Sequence, residues 1–184
     1  FSYLISQLPR LRGKRLQTKE VLFVLFAGNI FDLDLIIYPL FFGQSSLAHH
    51  FFVTHTPLAG FILFVLFLVF LRGVFSRTAI YMAGLAMLGH FMMDDISYWL
   101  SFLGLAKCTQ PQIFWLYPFD PRFEPALQWA KETYLNRGLN RADILIGYVR
   151  EAFPVFLLEI FLALAAILVF LQSFSSRGKN NVGR

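Results

Sequence analysis

The sequence predicts an all-α fold: a polytopic integral membrane protein, a bundle of about four transmembrane helices with an extramembrane cap segment. Three observations predict it. Of the 184 residues, 57% are hydrophobic, 23 are Phe and only 15% are charged, a balance far from that of a water-soluble domain. Four stretches are apolar over roughly the 20 residues needed to cross a hydrocarbon core about 30 Å thick. Lys and Arg gather at the flanks of these stretches rather than within them. By length the chain, 1–184, is a single membrane domain.

The first expected span is Val21 to Phe42, preceded by a basic flank, 1–20, with Arg10, Arg12, Lys14, Arg15 and Lys19. The second is Phe51 to Leu71. Between Leu35 and Leu71 there is no Lys, Arg, Asp or Glu, and Pro39, Gly43, Ser45, Ser46, Pro57 and Gly60 punctuate the run. This reads as helix, tight polar turn, helix; a re-entrant turn buried in protein is the alternative. The third span is Ala79 to Leu105 and the fourth Ala152 to Phe174. Between them the cap, 106–151, is broken by Pro111, Pro118, Pro121 and Pro125, with a helix expected from Glu124 to Asn136. Trp115 and Tyr117 in this cap are either interface anchors at headgroup depth or part of a lid over the polar cluster.

Arg72 and Arg77 lie between the second and third spans, and Arg177, Lys179 and Arg184 follow the fourth. The positive-inside rule then puts both termini and the Arg72 to Arg77 turn on the cytoplasmic side, and the histidine turn and cap on the other. The net charge of +5 comes mostly from these flanks, so anionic lipid explains it and no nucleic-acid partner is expected. The single Cys108 excludes an internal disulfide and reads as a packing residue. No cleavable signal peptide is apparent, and a first residue Phe1 rather than Met implies that the true N-terminus is missing.

All four histidines and four of the eleven acidic residues fall in or beside the apolar segments, in three clusters: Asp32 and Asp34; His49, His50 and His55; His90, Asp94 and Asp95. A charge at the bilayer centre costs roughly 2.5 to 3.5 kcal/mol on insertion scales, so such groups usually face a protein interior and act there. His90 and Asp94 are four residues apart, one turn along a single helix face, and one ion could take both. His50 and His55 sit in the turn entering the second span, where a non-helical start lets both rings bend inward. Asp32 and Asp34 are about 200° apart around a regular helix, so only one reaches the same centre unless the helix breaks, which Gly28 and Asn29 favour. Asp95 points about 100° from Asp94 and reads as an outer partner orienting an imidazole, or as a pair for Asn29 or a Tyr. Glu159 in the fourth span is open between the same two kinds of role. Imidazole and carboxylate together suit Zn, Mn or Fe. A purely structural polar network, or a haem or chlorin held through axial histidine, are the competing readings.

Taken together, "FDLD" at Phe31 to Asp34, "HFFVTHT" at His50 to Thr56, "GHFMMDD" at Gly89 to Asp95 and "WLYPF" at Trp115 to Phe119 resemble the membrane-bound metal-dependent hydrolases. That family shows Pro-Asp-x-Asp, His-Arg-Gly-x-Thr-His-Ser, His-x-x-x-Asp and a Trp-Pro element in this order, so the match runs from about Gly28 to Phe119. The resemblance implies a bacterial inner-membrane hydrolase in which Asp32, Asp34, His50, His55, His90 and Asp94 hold a divalent transition metal, zinc first, or lie against it. Thr54 would hold a neighbouring carboxylate or ring. This chain departs at Phe31 for the proline, Phe51 and Phe52 for Arg-Gly, Thr56 for the serine, and in lacking the family's histidine near the N-terminus. The lost arginine matters most, since a guanidinium is the natural clamp for a phosphate oxygen.

Two functions of different class follow. One is a membrane-embedded hydrolase of a phosphoester or lipid-linked substrate by metal-activated water, with Asp34 or Asp95 as catalytic base. The other is a non-catalytic accessory subunit that keeps the scaffold while its lipid-facing Phe surfaces pack against other membrane protein subunits or pigments.

Overall fold

The computed structural model describes residues 1–13, 15–33, 53–105, 113–122, 124, 125, 128 and 153–181. Among them every regular element is helical, as the sequence predicts. The helices are α1 (Ser2–Gln7), α2 (Thr18–Asn29), α3 (Pro57–Phe70), α4 (Arg77–Asp94), α5 (Ile96–Ser101) and α6 (Phe153–Asn181). Short 3-10 turns cover Leu8–Arg12, Phe31–Leu33 and Val53–His55.

Three of the helices are shorter than the hydropathy runs, and the cause is local. α2 stops at Asn29, whose Nδ2 folds back to donate to the Leu25 carbonyl at 2.7 Å, and the chain tightens into the Phe31–Leu33 turn. At 1.5 Å per residue its 12 residues rise only about 18 Å. α3 begins at Pro57, where the missing N–H costs nothing, with Thr56 Oγ1 accepting from the Ala59 amide. α4 starts at Ser76, whose Oγ accepts from the Ala79 amide, and ends at Asp94; Asp95 then separates it from α5. Among the described residues only α6 is both long and apolar enough to cross a membrane, over Phe153–Phe170 with mean hydropathy 2.7, while α3 is apolar but has 14 residues. The part of the first expected span past Leu33, and nearly all of the expected 124–136 helix, lie outside the described residues.

The residues before the first expected span do more than form a basic flank. α1 packs against α2 and α4, burying Ser2, Ile5 and Ser6. α2 and α4 lie together through small side chains: Ala27, Ala79, Ala83 and Ala86 are fully buried. A Cβ on Gly28 would collide with Ser2 and stand 3.0 Å from Ala86 Cβ. Small residues at such a seam let backbones approach closely. Phe23 stacks on Phe75 at 4.2 Å between ring centroids and meets Phe67 edge-on at 5.1 Å, fixing α2 to α3 and the turn after it.

One charged residue sets the helix directions. Glu20, at the start of α2, accepts from the Gln17 amide at 2.8 Å and from the Ser76 amide at 3.0 Å. Burial pushes its carboxyl up, and the bonds from Ser76 and Gln17 outweigh that and hold it below its usual value. The starts of α2 and α4 therefore lie side by side, and their C-terminal ends converge at the other end, where α3 begins.

Candidate metal centre

At that shared end the chain places the acids and histidines. Asp32 comes from the 3-10 turn after α2, His55 from the 3-10 turn before α3, and His90 and Asp94 from the last turn and a half of α4. His55 Nε2 stands 3.0 Å from Asp94 Oδ2 and 3.3 Å from His90 Nε2, and His90 Nε2 is 3.2 Å from the same Asp94 oxygen. Asp32 Oδ1 is 3.7 Å from His90 Nε2. Asp32, His55 and His90 each offer a donor atom within 4.8 Å of the others and could together hold a metal ion.

The donor set fits a small cation. Around a tetrahedral ion with bonds of about 2.0 to 2.1 Å, adjacent ligand atoms lie about 3.3 to 3.4 Å apart. The triangle of His55 Nε2, His90 Nε2 and Asp94 Oδ2 has edges of 3.0, 3.2 and 3.3 Å. A macrocycle axially ligated by both histidines would hold their nitrogens about 4 Å apart with the ring between them, at bonds of ~2.0 Å. At 3.3 Å the His55 and His90 nitrogens stand closer than that, so this pair as placed does not bracket a macrocycle.

Burial grades the site. The His55 side chain is wholly enclosed, those of His90 and Asp94 are 10% and 20% exposed, and that of Asp32 is 40% exposed. Phe31 is wedged against the two imidazoles, its ring centroid 6.1 Å from His55 and 5.9 Å from His90, and 4.6 Å from Phe91. Gly60 opposite carries no Cβ because one would stand 2.7 Å from the Phe91 ring. Beside His90 a cavity of about 180 Å³ opens between α1, α2 and α4, bordered by Ser2, Tyr3, Leu25, Asn29 and Met93.

Asp95 takes a separate task. Its Oδ2 accepts from the Trp115 indole N–H at 3.0 Å and its Oδ1 from the Ile113 amide at 3.3 Å, with Asp95 and Ile113 fully buried. Asn29, one of its expected pairs, bonds instead within α2. The same cap segment carries Arg122, which donates to both Asp120 oxygens, from Nε at 2.9 Å and from Nη2 at 2.7 Å, while Nη1 lies 3.4 Å from the Tyr98 hydroxyl. The guanidinium holds the Asp120 carboxyl below its usual range.

Of the residues singled out from sequence, Asp32, His55, His90 and Asp94 are brought together, and Asp95 adjoins them. Asp34, His49 and His50 lie outside the described residues, and Thr54 and Glu159 are exposed. Sequence reasoning missed Phe31 as packing for the imidazoles, α1 as a wall of the cavity, and Trp115 as the partner of Asp95. Comparison with known protein families, curated proteins and solved structures returns no match.

Proposed function

We propose that this chain is an integral-membrane, metal-dependent hydrolase of a phosphoester or lipid-linked substrate, working through one divalent cation, zinc first among the candidates. The observation that carries the proposal is the triangle of His55 Nε2, His90 Nε2 and Asp94 Oδ2, with edges that suit a tetrahedral ion. Two imidazoles and one carboxylate leave a coordination position open, the arrangement of catalytic rather than closed structural sites. A cation there supplies Lewis-acid activation of water at neutral pH.

The chain's own residues do the rest. His55, enclosed and flanked by Phe31 and Phe91, is held in one orientation. Asp32, the most exposed of the four and 3.7 Å from His90, would either complete the ligand set with His55 and His90 or take the proton of an attacking water. Asp95, whose oxygens are taken by Ile113 and Trp115, supports Asp94 instead of acting as base. The cavity beside His90, bordered by Ser2, Tyr3 and Asn29 as well as Leu25 and Met93, is open space next to the centre that a substrate could enter.

Membrane placement rests on exposed apolar surface. The Phe153–Phe170 window is only 6% buried, and on α3 Phe61 and Phe70 are 63% and 72% exposed. Each Å² of such surface left in water costs about 25 cal/mol, which lipid relieves. The four-span bundle, with both termini cytoplasmic in a bacterial inner membrane, belongs to the same proposal and leans on the Lys and Arg flanks.

The test is elemental analysis of protein purified in detergent without added metal. About one transition-metal ion per chain is expected, lost on His90→Ala, with metal-dependent turnover of a phosphoester. Protein free of metal and inactive after metal is added overturns the reading. The uncovered face of α6 favours a second reading, an accessory subunit packed against other membrane proteins. It predicts stoichiometric co-purification with a complex that assembles equally well without metal.

A further inference from the structure

Asp94 and Asp95 are neighbours at a helix end, yet their carboxylates serve different sides. Asp94 Oδ2 meets both imidazoles at 3.0 and 3.2 Å, while Asp95 meets Trp115 and Ile113 at 3.0 and 3.3 Å. A single peptide unit thus joins the candidate ligand to the cap. The contact is closed: Asp95, Ile113 and Phe114 are fully buried, and Trp115 packs on the core. A second tie, from Arg122 Nη1 to the Tyr98 hydroxyl, lands on α5 one turn after Asp94.

We propose that Asp95 is a positioning residue that couples the Ile113–Arg122 segment to the metal centre, so that seating of this segment fixes Asp94 toward the imidazoles and metal binding in turn holds the segment down. The proposal rests on the metal reading above. The physical reason is the cost of taking two donors away from a buried carboxylate. When the segment is seated, Asp95 has an indole N–H and an amide N–H and its backbone at the α4–α5 junction is fixed. When the segment lifts, Asp95 loses both of these donors, and the junction next to Asp94 is held less firmly. Partners that orient a ligand in this way are typically worth 10- to 100-fold in metal affinity.

The test uses the full chain in detergent, titrated with Zn²⁺ against a chromophoric chelator, comparing the unaltered protein with Trp115→Phe, which keeps an aromatic ring and removes the donor. Trp115→Phe is expected to weaken Zn²⁺ binding about tenfold. Asp95→Asn, which leaves an acceptor for Ile113 but opposes an N–H to that of Trp115, is expected to weaken it similarly, and the double variant no further than either alone. Zn²⁺ is also expected to slow hydrogen exchange at the Ile113 amide in the unaltered protein, a readout that stands even if a variant fails to fold. Affinity in Trp115→Phe within twofold of the unaltered protein, or Ile113 exchange indifferent to Zn²⁺, overturns the coupling. Absence of Zn²⁺ binding in the unaltered protein overturns the metal reading itself, which keeps the two failures distinct.

Discussion

His55→Ala separates the metal contribution of this ring from its structural one. The ring is fully buried, 3.0 Å from Asp94 Oδ2 and 3.3 Å from His90 Nε2. Without metal, the substitution removes a charge-assisted hydrogen bond worth about 1.5 to 3 kcal/mol. It also leaves a void among Phe31, His90 and Phe91, which at ~24 cal/mol per Å³ adds about 1.5 kcal/mol for a residual cavity of ~60 Å³. With metal there is a further loss. Structural zinc sites bind with about 10 to 16 kcal/mol over four ligands, so one donor is worth roughly 3 kcal/mol, or about 100-fold in affinity. At a metal concentration ~1,000 times the dissociation constant, the unaltered protein gains about 4 kcal/mol, which is roughly 8 to 16 °C in Tm for a chain of this size. The variant, binding about 100-fold more weakly at the same concentration, gains only about 1.4 kcal/mol, or roughly 3 to 6 °C. Thermal unfolding in detergent with and without Zn²⁺ measures both numbers. A metal-dependent shift in His55→Ala equal to that of the unaltered protein refutes the assignment of His55 as a ligand, whatever happens to the metal-free Tm.

Three further outcomes are expected. Gly60→Ala puts a methyl 2.7 Å from the Phe91 ring, which has Phe31 and both imidazoles behind it. Overpacking of about 1 to 3 kcal/mol and weaker metal binding should appear together in unfolding and titration experiments. Glu20→Ala leaves the Gln17 and Ser76 amides without their acceptor, costing about 2 to 4 kcal/mol in total, with metal affinity unchanged because Asn29 is already about 14 Å further along α2. Asp120 has a depressed carboxyl in the folded protein, so its ion pair contributes stability that is complete above the ordinary value of 3.8 and is lost as pH falls below it. With Arg122 half exposed the effect is about 1 kcal/mol, and Asp120→Asn should flatten the fall in Tm between pH 5 and pH 3 by that amount, read by thermal melts across a pH series.

The helical class was legible because composition and long apolar runs carry it, and the His90–Asp94 pair because a spacing of four is a local property of one helix. Helix ends were less legible. Hydropathy averaged over 20 residues cannot see that Asn29 caps its own helix or that Thr56 and Pro57 open α3 six residues into an apolar run, although Gly28–Asn29 and Pro57 are the local signals for both. α1 had no signal, since six residues with two small serines turned inward carry no apolar run. The Asp95–Trp115 bond joins residues 20 apart across a proline-broken segment, and no periodicity encodes such a contact.

The placement of the cluster at helix ends has an electrostatic consequence that bears on what occupies it. Asp32 follows the C-terminal end of α2, and His90 and Asp94 lie in the last turns of α4. Each C-terminus carries about half a negative charge, and the N-terminus of α3, which His55 precedes, carries about half a positive one. The N-terminus of α5 lies here too, so the helix ends roughly cancel, and it is the carboxylates of Asp32, Asp94 and Asp95 that make the region negative. A single divalent cation would balance the two carboxylates nearest the histidines, at the place where both rings and Asp94 come together. The same field disfavours an anion bound there alone, so a negatively charged substrate depends on the cation for its place. Activity toward a phosphoester should therefore vanish with the metal more completely than the stability of the fold does.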